Sequence, residues 1–245
     1  MFKKLGYVTT LTLAIAGSTG VWAEDVIEEV VVIGQSTIFA NNQTDEAALA
    51  TQSPVTSALA IIDNLPGVSV QEGDTYGFDD WSTTVSIRGF QLSLSDQQIG
   101  TTIDGIANGN SGYGGGAKAN RYIDTGNLAG AEVSQGTGDI ASRSLEALGG
   151  TLNFRTIGTR QEAGFNVSFT SGEFDAERYF VRYNTGSLFG GETYAWFSAS
   201  HTEATDWING AAENERDHFA VKVESQIGQF DLTGYLSHDD VHEVT

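Results

Sequence analysis

Cysteine is missing altogether from the 245 residues, proline occurs twice, and basic side chains are scarce, 12 Lys and Arg against 32 Asp and Glu. The lack of cysteine excludes a disulfide framework and a thiolate metal site, and is compatible with an exported chain that needs neither. A formal charge of -20, with no local basic patch to offset it, argues against binding to nucleic-acid phosphates. Thirty glycines in no short repeat imply many turns and strands.

Catalytic patterns are missing too. Gly112-Tyr113-Gly114-Gly115-Gly116-Ala117-Lys118 lacks the glycine before the lysine and the hydroxyl residue after it that a phosphate loop requires, so it reads as a glycine-rich apical loop. Around Gly109-Asn110-Ser111-Gly112 there is no Gly-x-Ser-x-Gly elbow, and the first histidine is His201. His201, His218, His238 and His242 lack metal-ligand spacing with acidic partners on one element. The exception is the His238 to His242 run, which reads as surface loop chemistry. No catalytic residue, cofactor or metal site is expected.

What is present begins with an export signal. Lys3 and Lys4 precede a mostly apolar stretch from Leu5 to Ala16, and Val21-Trp22-Ala23 fits a cleavage site. The alternative is a membrane anchor, but Thr9, Thr10 and Thr12 interrupt the run, which falls short of the ~20 residues of a spanning helix. Residues 1–23 therefore read as a signal peptide, with Glu24 as the mature N-terminus.

Next comes Glu28-Glu29-Val30-Val31-Val32-Ile33-Gly34, four β-branched residues in an acidic, polar surround. Such a strand can add itself to the sheet edge of another protein, or it can be an ordinary strand of the domain that follows. Beyond it, Gln35 to Glu46 is mostly polar and reads as a flexible tether. From Gln52 the pattern is that of a packed domain. Ser53 caps a helix with Pro54 at its first position and Val55, Ala58, Leu59, Ile62 and Leu65 on one face, and Pro66-Gly67 stops it. Short strands follow at Val68–Val70, Thr84–Phe90, Gly100–Ile106 and Gly149–Arg155, giving a small α+β domain.

The tail alternates apolar and polar residues in Phe165–Thr170, Tyr179–Asn184, Phe219–Glu224 and Phe230–Tyr235, with Tyr194–Ala199 a less regular fifth. Period two in segments of about ten residues suits the wall of an outer-membrane barrel, and a soluble β-sandwich shares the alternation. In a barrel, Lys222 and Glu224 face the lumen while Phe219, Val221 and Val223 face lipid.

These segments carry a family resemblance over about residues 24 to 158. The Glu28 to Gly34 run resembles the TonB box of TonB-dependent receptors. Leu65-Pro66-Gly67-Val68, Ile87-Arg88-Gly89-Phe90, Ile103-Asp104-Gly105-Ile106, Glu132-Val133 and Gly149-Gly150-Thr151-Leu152-Asn153-Phe154 resemble the plug motifs in their usual order. Arg88, Gly89, Asp104, Gly105, Glu132, Gly149 and Gly150 are the motif residues. Two departures stand out: Gly130-Ala131 replaces a basic and an aliphatic residue, and Ser134-Gln135-Gly136-Thr137 replaces the usual Arg-Gly-Pro.

The resemblance implies an α+β plug domain followed by the first antiparallel strands of a transmembrane β-barrel. The expected boundaries are 1–23 signal peptide, 24–50 TonB box and flexible linker, 51–158 plug, and 159–245 partial barrel. Plugged barrels have about 22 strands against five read here, so a fragment of a longer receptor is expected. The implied activity is nutrient import across the outer membrane without enzymatic chemistry. Its partners are TonB with ExbB and ExbD, outer-membrane lipid, and a small-molecule ligand such as a metal chelate or a glycan. TonB would pair with Glu29, Val30, Val31, Val32 and Ile33. Ligand contact is expected from Tyr76, Phe78, Asp79, Asp80 and Trp81 in one loop and Asn108, Asn110 and Tyr113 in another, aromatics beside hydrogen-bonding groups. The other use of these aromatics is packing against the barrel wall. The alternative function is a non-energised outer-membrane binding protein or adhesin with a plugged barrel.

Overall fold

Segments with period-two alternation and segments punctuated by glycine turns fold differently, and the chain separates accordingly into two sheet systems. The computed structural model describes residues 11–12, 41–44, 46–53, 56–74, 77–78, 82–93, 97–107, 122–136, 147–205 and 213–243. In chain order, β1 (Leu11–Thr12) and β2 (Asn41–Thr44) precede the short helix α1 (Glu46–Ala50). Then come β3 (Val68–Gln71), β4 (Thr84–Ile87), β5 (Phe90–Leu92), β6 (Gly100–Ile103), β7 (Ile106–Ala107), β8 (Leu128–Gln135) and β9 (Gly150–Thr156). The long strands are β10 (Ala163–Ser171), β11 (Glu177–Leu188), β12 (Thr193–Thr205), β13 (Glu213–Ile227) and β14 (Phe230–His242).

The inner domain holds two sheets. One has the order β2-β8-β9-β6-β7, with β6 parallel to β9 and the other pairs antiparallel; the other is the meander β3-β4-β5. Leu59, Ile62, Val85, Ile87, Leu92, Ile99, Ile123, Val133, Leu152 and Phe154, all at most 3% exposed, form its core. Two of its hairpins are closed by two-residue turns in which both residues have positive φ: Arg88 (50°) with Gly89 (91°), and Asp104 (49°) with Gly105 (76°). Such turns match the twist of the flanking strands, and glycine at the second position adopts the geometry without strain.

Two expectations are corrected here. The polar run to Glu46 is not all tether: Asn41–Thr44 pairs antiparallel with Ser134 to Ala131 at the sheet edge, and the Thr44 side chain accepts from Ala131 N–H at 3.0 Å. An edge strand held by backbone bonds needs no apolar alternation, so the hydrophobic pattern was silent. In place of the expected helix after Ser53, the described residues show turns and a 3-10 segment, Ala60–Ile62. Its bonds run from Ile62 N–H to Leu59 C=O and from Leu65 N–H to Ile62 C=O, each 3.0 Å. The Ser57 hydroxyl takes the Leu59 N–H at 3.0 Å, competing with helical pairing. The apolar spacing still buries Ala58, Leu59, Ile61 and Ile62.

The outer sheet has the order β1-β10-β11-β12-β13-β14, antiparallel throughout. Its two faces differ sharply. Phe165, Val167, Phe169, Tyr179, Val181, Tyr183, Phe197 and Phe219 are exposed on one face. Arg178, Phe180, Arg182, Asn184, Trp196, Ser198, Ser200, Thr202, Arg216, His218 and Lys222 are buried on the other, against the inner domain. Lys222 turns inward and Phe219 outward, as the alternation requires.

Candidate functional site

The site is the seam where the inner domain meets the inward face of the wall, and its chemistry starts at Asp124. Asp124 caps the 3-10 turn Thr125–Asn127 by accepting from Gly126 N–H at 2.7 Å. Its second task is in the wall: Arg178 donates to Oδ1 at 2.5 Å and Ser200 to Oδ2 at 2.6 Å. Both charged side chains are about 95% buried, at 5% and 6% exposure. Burial by itself would raise this carboxyl, but the Arg178 guanidinium, then His218, the Ser200 hydroxyl and Arg216, outweigh it and hold Asp124 well below the usual carboxylate range. It is an anion at any physiological pH.

Around this pair the same turn is fastened again. Arg182 donates to Gly126 C=O at 2.6 Å, and the Asn127 amide donates to Ser198 Oγ at 2.7 Å. The Phe180 ring lies so close to Gly126 that a Cβ there would stand 2.6 Å from it, which is why this position carries no side chain. Both flanking guanidiniums lie over that ring, 5.2 and 5.8 Å from its centroid.

A second fastening lies nearer the chain crossing from one sheet system to the other. Lys222, 5% exposed, donates to Thr156 Oγ1 at 2.9 Å and lies 3.2 Å from Asp104 and 3.3 Å from Glu224. Asp104 also accepts from Thr156 N–H at 2.8 Å and from its hydroxyl at 2.5 Å. Trp196 Nε1 donates to Ile157 C=O at 3.1 Å, and Glu224 accepts from Thr159 N–H at 2.9 Å. The seam therefore sets inner-domain carboxylates against cations of the wall.

The structure gives the motif residues specific tasks. Arg88-Gly89 and Asp104-Gly105 are the hairpin turns, and Gly105 N–H donates to Asn153 Oδ1 at 3.0 Å. Glu132 pairs with Arg155 at 3.2 Å across β8 and β9. At Gly149 a Cβ would strike the Phe90 side chain, and at Gly150 the Ser134 carbonyl. The departures find reasons as well. A Cβ at Gly130 would strike the Thr44 carbonyl of β2, so no larger residue fits there, and the Gln135 amide donates to Pro66 C=O.

The expected ligand and coupling residues fare differently. Tyr76, Asp79, Asp80, Trp81, Asn108, Asn110 and Tyr113, like Glu29, Val30, Val31, Val32 and Ile33, lie outside the described residues. Phe78 is described: it is 1% exposed and packs with Ala176 and Ala204, with Val241 alongside, the packing use expected beside ligand contact. The Asp74 carboxylate accepts from Gly77 N–H at 2.6 Å and Phe78 N–H at 3.2 Å, and this turn sends the ring into the wall. Asp124, Arg178, Arg182 and Ser200 were not singled out from the sequence. Their signal was faint: an Asp before Thr-Gly, and basic residues four apart on an alternating strand.

A turn-rich α+β domain seated by buried ion pairs against the polar face of a wall whose other face is aromatic and exposed fits a plug against the inner wall of a membrane barrel. Residues 34–151 match the family model of the TonB-dependent receptor plug domain. The chain carries the plug domain of a TonB-dependent receptor, followed by a sheet that matches the start of the barrel. No curated protein matches it. Among solved structures, the ferripyoverdine receptor of Pseudomonas aeruginosa bound to ferripyoverdine is 17% identical at a TM-score of 0.64, covering 82% of this chain and 25% of that one. The ferric yersiniabactin uptake receptor FyuA of Yersinia pestis is 14% identical at 0.61, covering 81% and 31%. The open form of the ferric-catecholate import receptor Fiu of E. coli K12 is 22% identical at 0.60, covering 83% and 27%. The chain thus spans about a quarter to a third of the length of these structures. The family is one of transporters, not enzymes, and belongs to the outer membrane.

Proposed function

We propose that this chain serves energised import: a receptor that binds a scarce nutrient outside the cell and delivers it to the periplasm when TonB, driven through ExbB and ExbD, pulls on the plug. The observation that carries this reading is the latched seam. Asp124 and Asp104 are paired with Arg178 and Lys222, so freeing the plug from the wall means parting these buried pairs. Such a rearrangement needs work, since each charge of a parted pair stays buried without its counter-charge until water reaches it. Val30 to Ile33 would supply the handle by adding as a strand to the sheet of TonB. A signal peptide at residues 1–23 would fit delivery to the outer membrane, and its removal would take β1 with it and leave β10 as the edge of the wall.

For the ligand we propose a ferric chelate, as the names of the receptors with similar folds suggest, with a carbohydrate or similar molecule as the other class. The test is growth and uptake. A deletion strain should fail on one iron source or glycan that the parent uses, and uptake of that compound should stop when the proton-motive force is collapsed. Uptake that survives collapse at the parental rate would instead favour a passive binding protein.

A further inference from the structure

The charge of the wall is sorted by face. Among the described residues of β10 to β14, every Lys and Arg points inward: Arg178, Arg182, Arg216 and Lys222, each at most 8% exposed. The outward face has its carboxylates gathered at one end, above the apolar band. Strand register puts Glu177 opposite Glu203 and Glu203 opposite Glu215 in the last row, and His201 opposite Asp217 and Asp217 opposite Asp240 in the next. This is the end of the β12–β13 connection at residues 206–212, remote from the tight turns at 189–192 and 228–229. Longer loops mark the extracellular side of such barrels.

His201 stands in the middle of this row. Its Nδ1 is 2.9 Å from Asp217 and 3.7 Å from Glu215, and its Nε2 is 3.6 Å from Glu203. One ligand atom each from His201, Glu215 and Asp217 lies within 4.8 Å of the others. His242 lies opposite Glu215 in the last row; two imidazoles, even both protonated, leave Glu177, Glu203, Glu215, Asp217 and Asp240 in excess, and no Lys or Arg of the described wall faces them. An uncompensated anionic cluster of this kind raises the local concentration of cations.

We propose that His201, Asp217 and Glu215 form a divalent-metal site on the outward face of the wall, at the extracellular border of the apolar band. One imidazole nitrogen and two carboxylate oxygens on adjacent strands suit zinc or a similar first-row ion, with metal to ligand distances of about 2.0–2.2 Å. All three side chains are a third to a half exposed, free to rotate inward onto an ion, and a fourth position stays open to water or to a phosphate oxygen of the headgroup layer. The strand-by-strand spacing of the sequence conceals the site because its ligands meet only across β12 and β13. It does not depend on the import reading.

The test uses the tag-free, full-length receptor in a non-ionic detergent, titrated with zinc chloride by calorimetry. The parent should bind zinc at a site whose affinity falls at least ten-fold in His201→Gln and in Asp217→Asn and is unchanged in His238→Gln, which faces outward nearer the lipid band. Should either variant fail to fold, cobalt(II) added to the parent must give the visible bands of a nitrogen-containing site. Absence of binding at millimolar zinc, absence of those bands, or an unchanged affinity in either variant would overturn the proposal, leaving an imidazolium and carboxylate clamp only.

Discussion

At the scale of single residues, Asp124 holds the plug to the wall because each of its oxygens has a donor in a place water does not reach. Replacing it by asparagine keeps the shape but leaves Arg178 buried without a counter-charge. The expected cost is about 3–5 kcal/mol, read as a lower urea midpoint for plug unfolding in the full-length receptor. The double variant Asp124→Leu with Arg178→Met should be less impaired than Asp124→Asn, since no charge is left stranded. Acid should not loosen this latch early: a carboxyl depressed in the fold contributes stability that is complete above the ordinary carboxylate range and is lost only as pH falls through its lower folded value. Glu72 behaves in the opposite way. Burial raises its carboxyl, the Ser57 hydroxyl opposes the rise, and Asp74 and Asp63 add to it. A raised group favours the fold below its unfolded value and loses that contribution as pH rises through the folded one. Glu72→Gln should therefore stabilise the plug at pH 7, and the gain should vanish near pH 4. A gain equal at both pH values would refute the assignment.

At the scale of elements, turns and strands were legible because their rules are local. Arg-Gly and Asp-Gly between alternating residues announce tight hairpins, and the five wall strands follow from period two. Gly105 has open space beside it, so Gly105→Ala should cost about 1–2 kcal/mol from its positive φ alone. Gly150 has both a positive φ of 127° and the Ser134 carbonyl in the way, so Gly150→Ala should cost clearly more. Comparing the urea midpoints of the two variants checks the order. What was not legible depended on distant partners. The polar strand Asn41–Thr44 exists because β8 offers it an edge. The segment after Ser53 buries the side chains its apolar spacing promised, yet Ser57 draws the backbone away from a full helix. For Phe78 the sequence left ligand contact and wall packing both open, and the Asp74 turn with the wall alanines buries its ring.

At the scale of the whole molecule, the plug's Asp104 and Asp124 meet the wall's cations in the lumen, while the outward aromatics are left to the lipid. The seam was half visible in the sequence: Lys222 could be placed inward by alternation, but its partners Asp104 and Thr156, over sixty residues away, could not. The import reading adds a prediction that reaches beyond the described residues to Val31. Proline there removes a backbone donor and fixes a geometry that a paired strand tolerates poorly. Ligand affinity on whole cells and energy-dependent accumulation should be measured side by side in Val31→Pro and the parent. Unchanged affinity with accumulation reduced to background is the predicted result; accumulation at the parental rate, with the variant present at normal levels in the outer membrane, would contradict it.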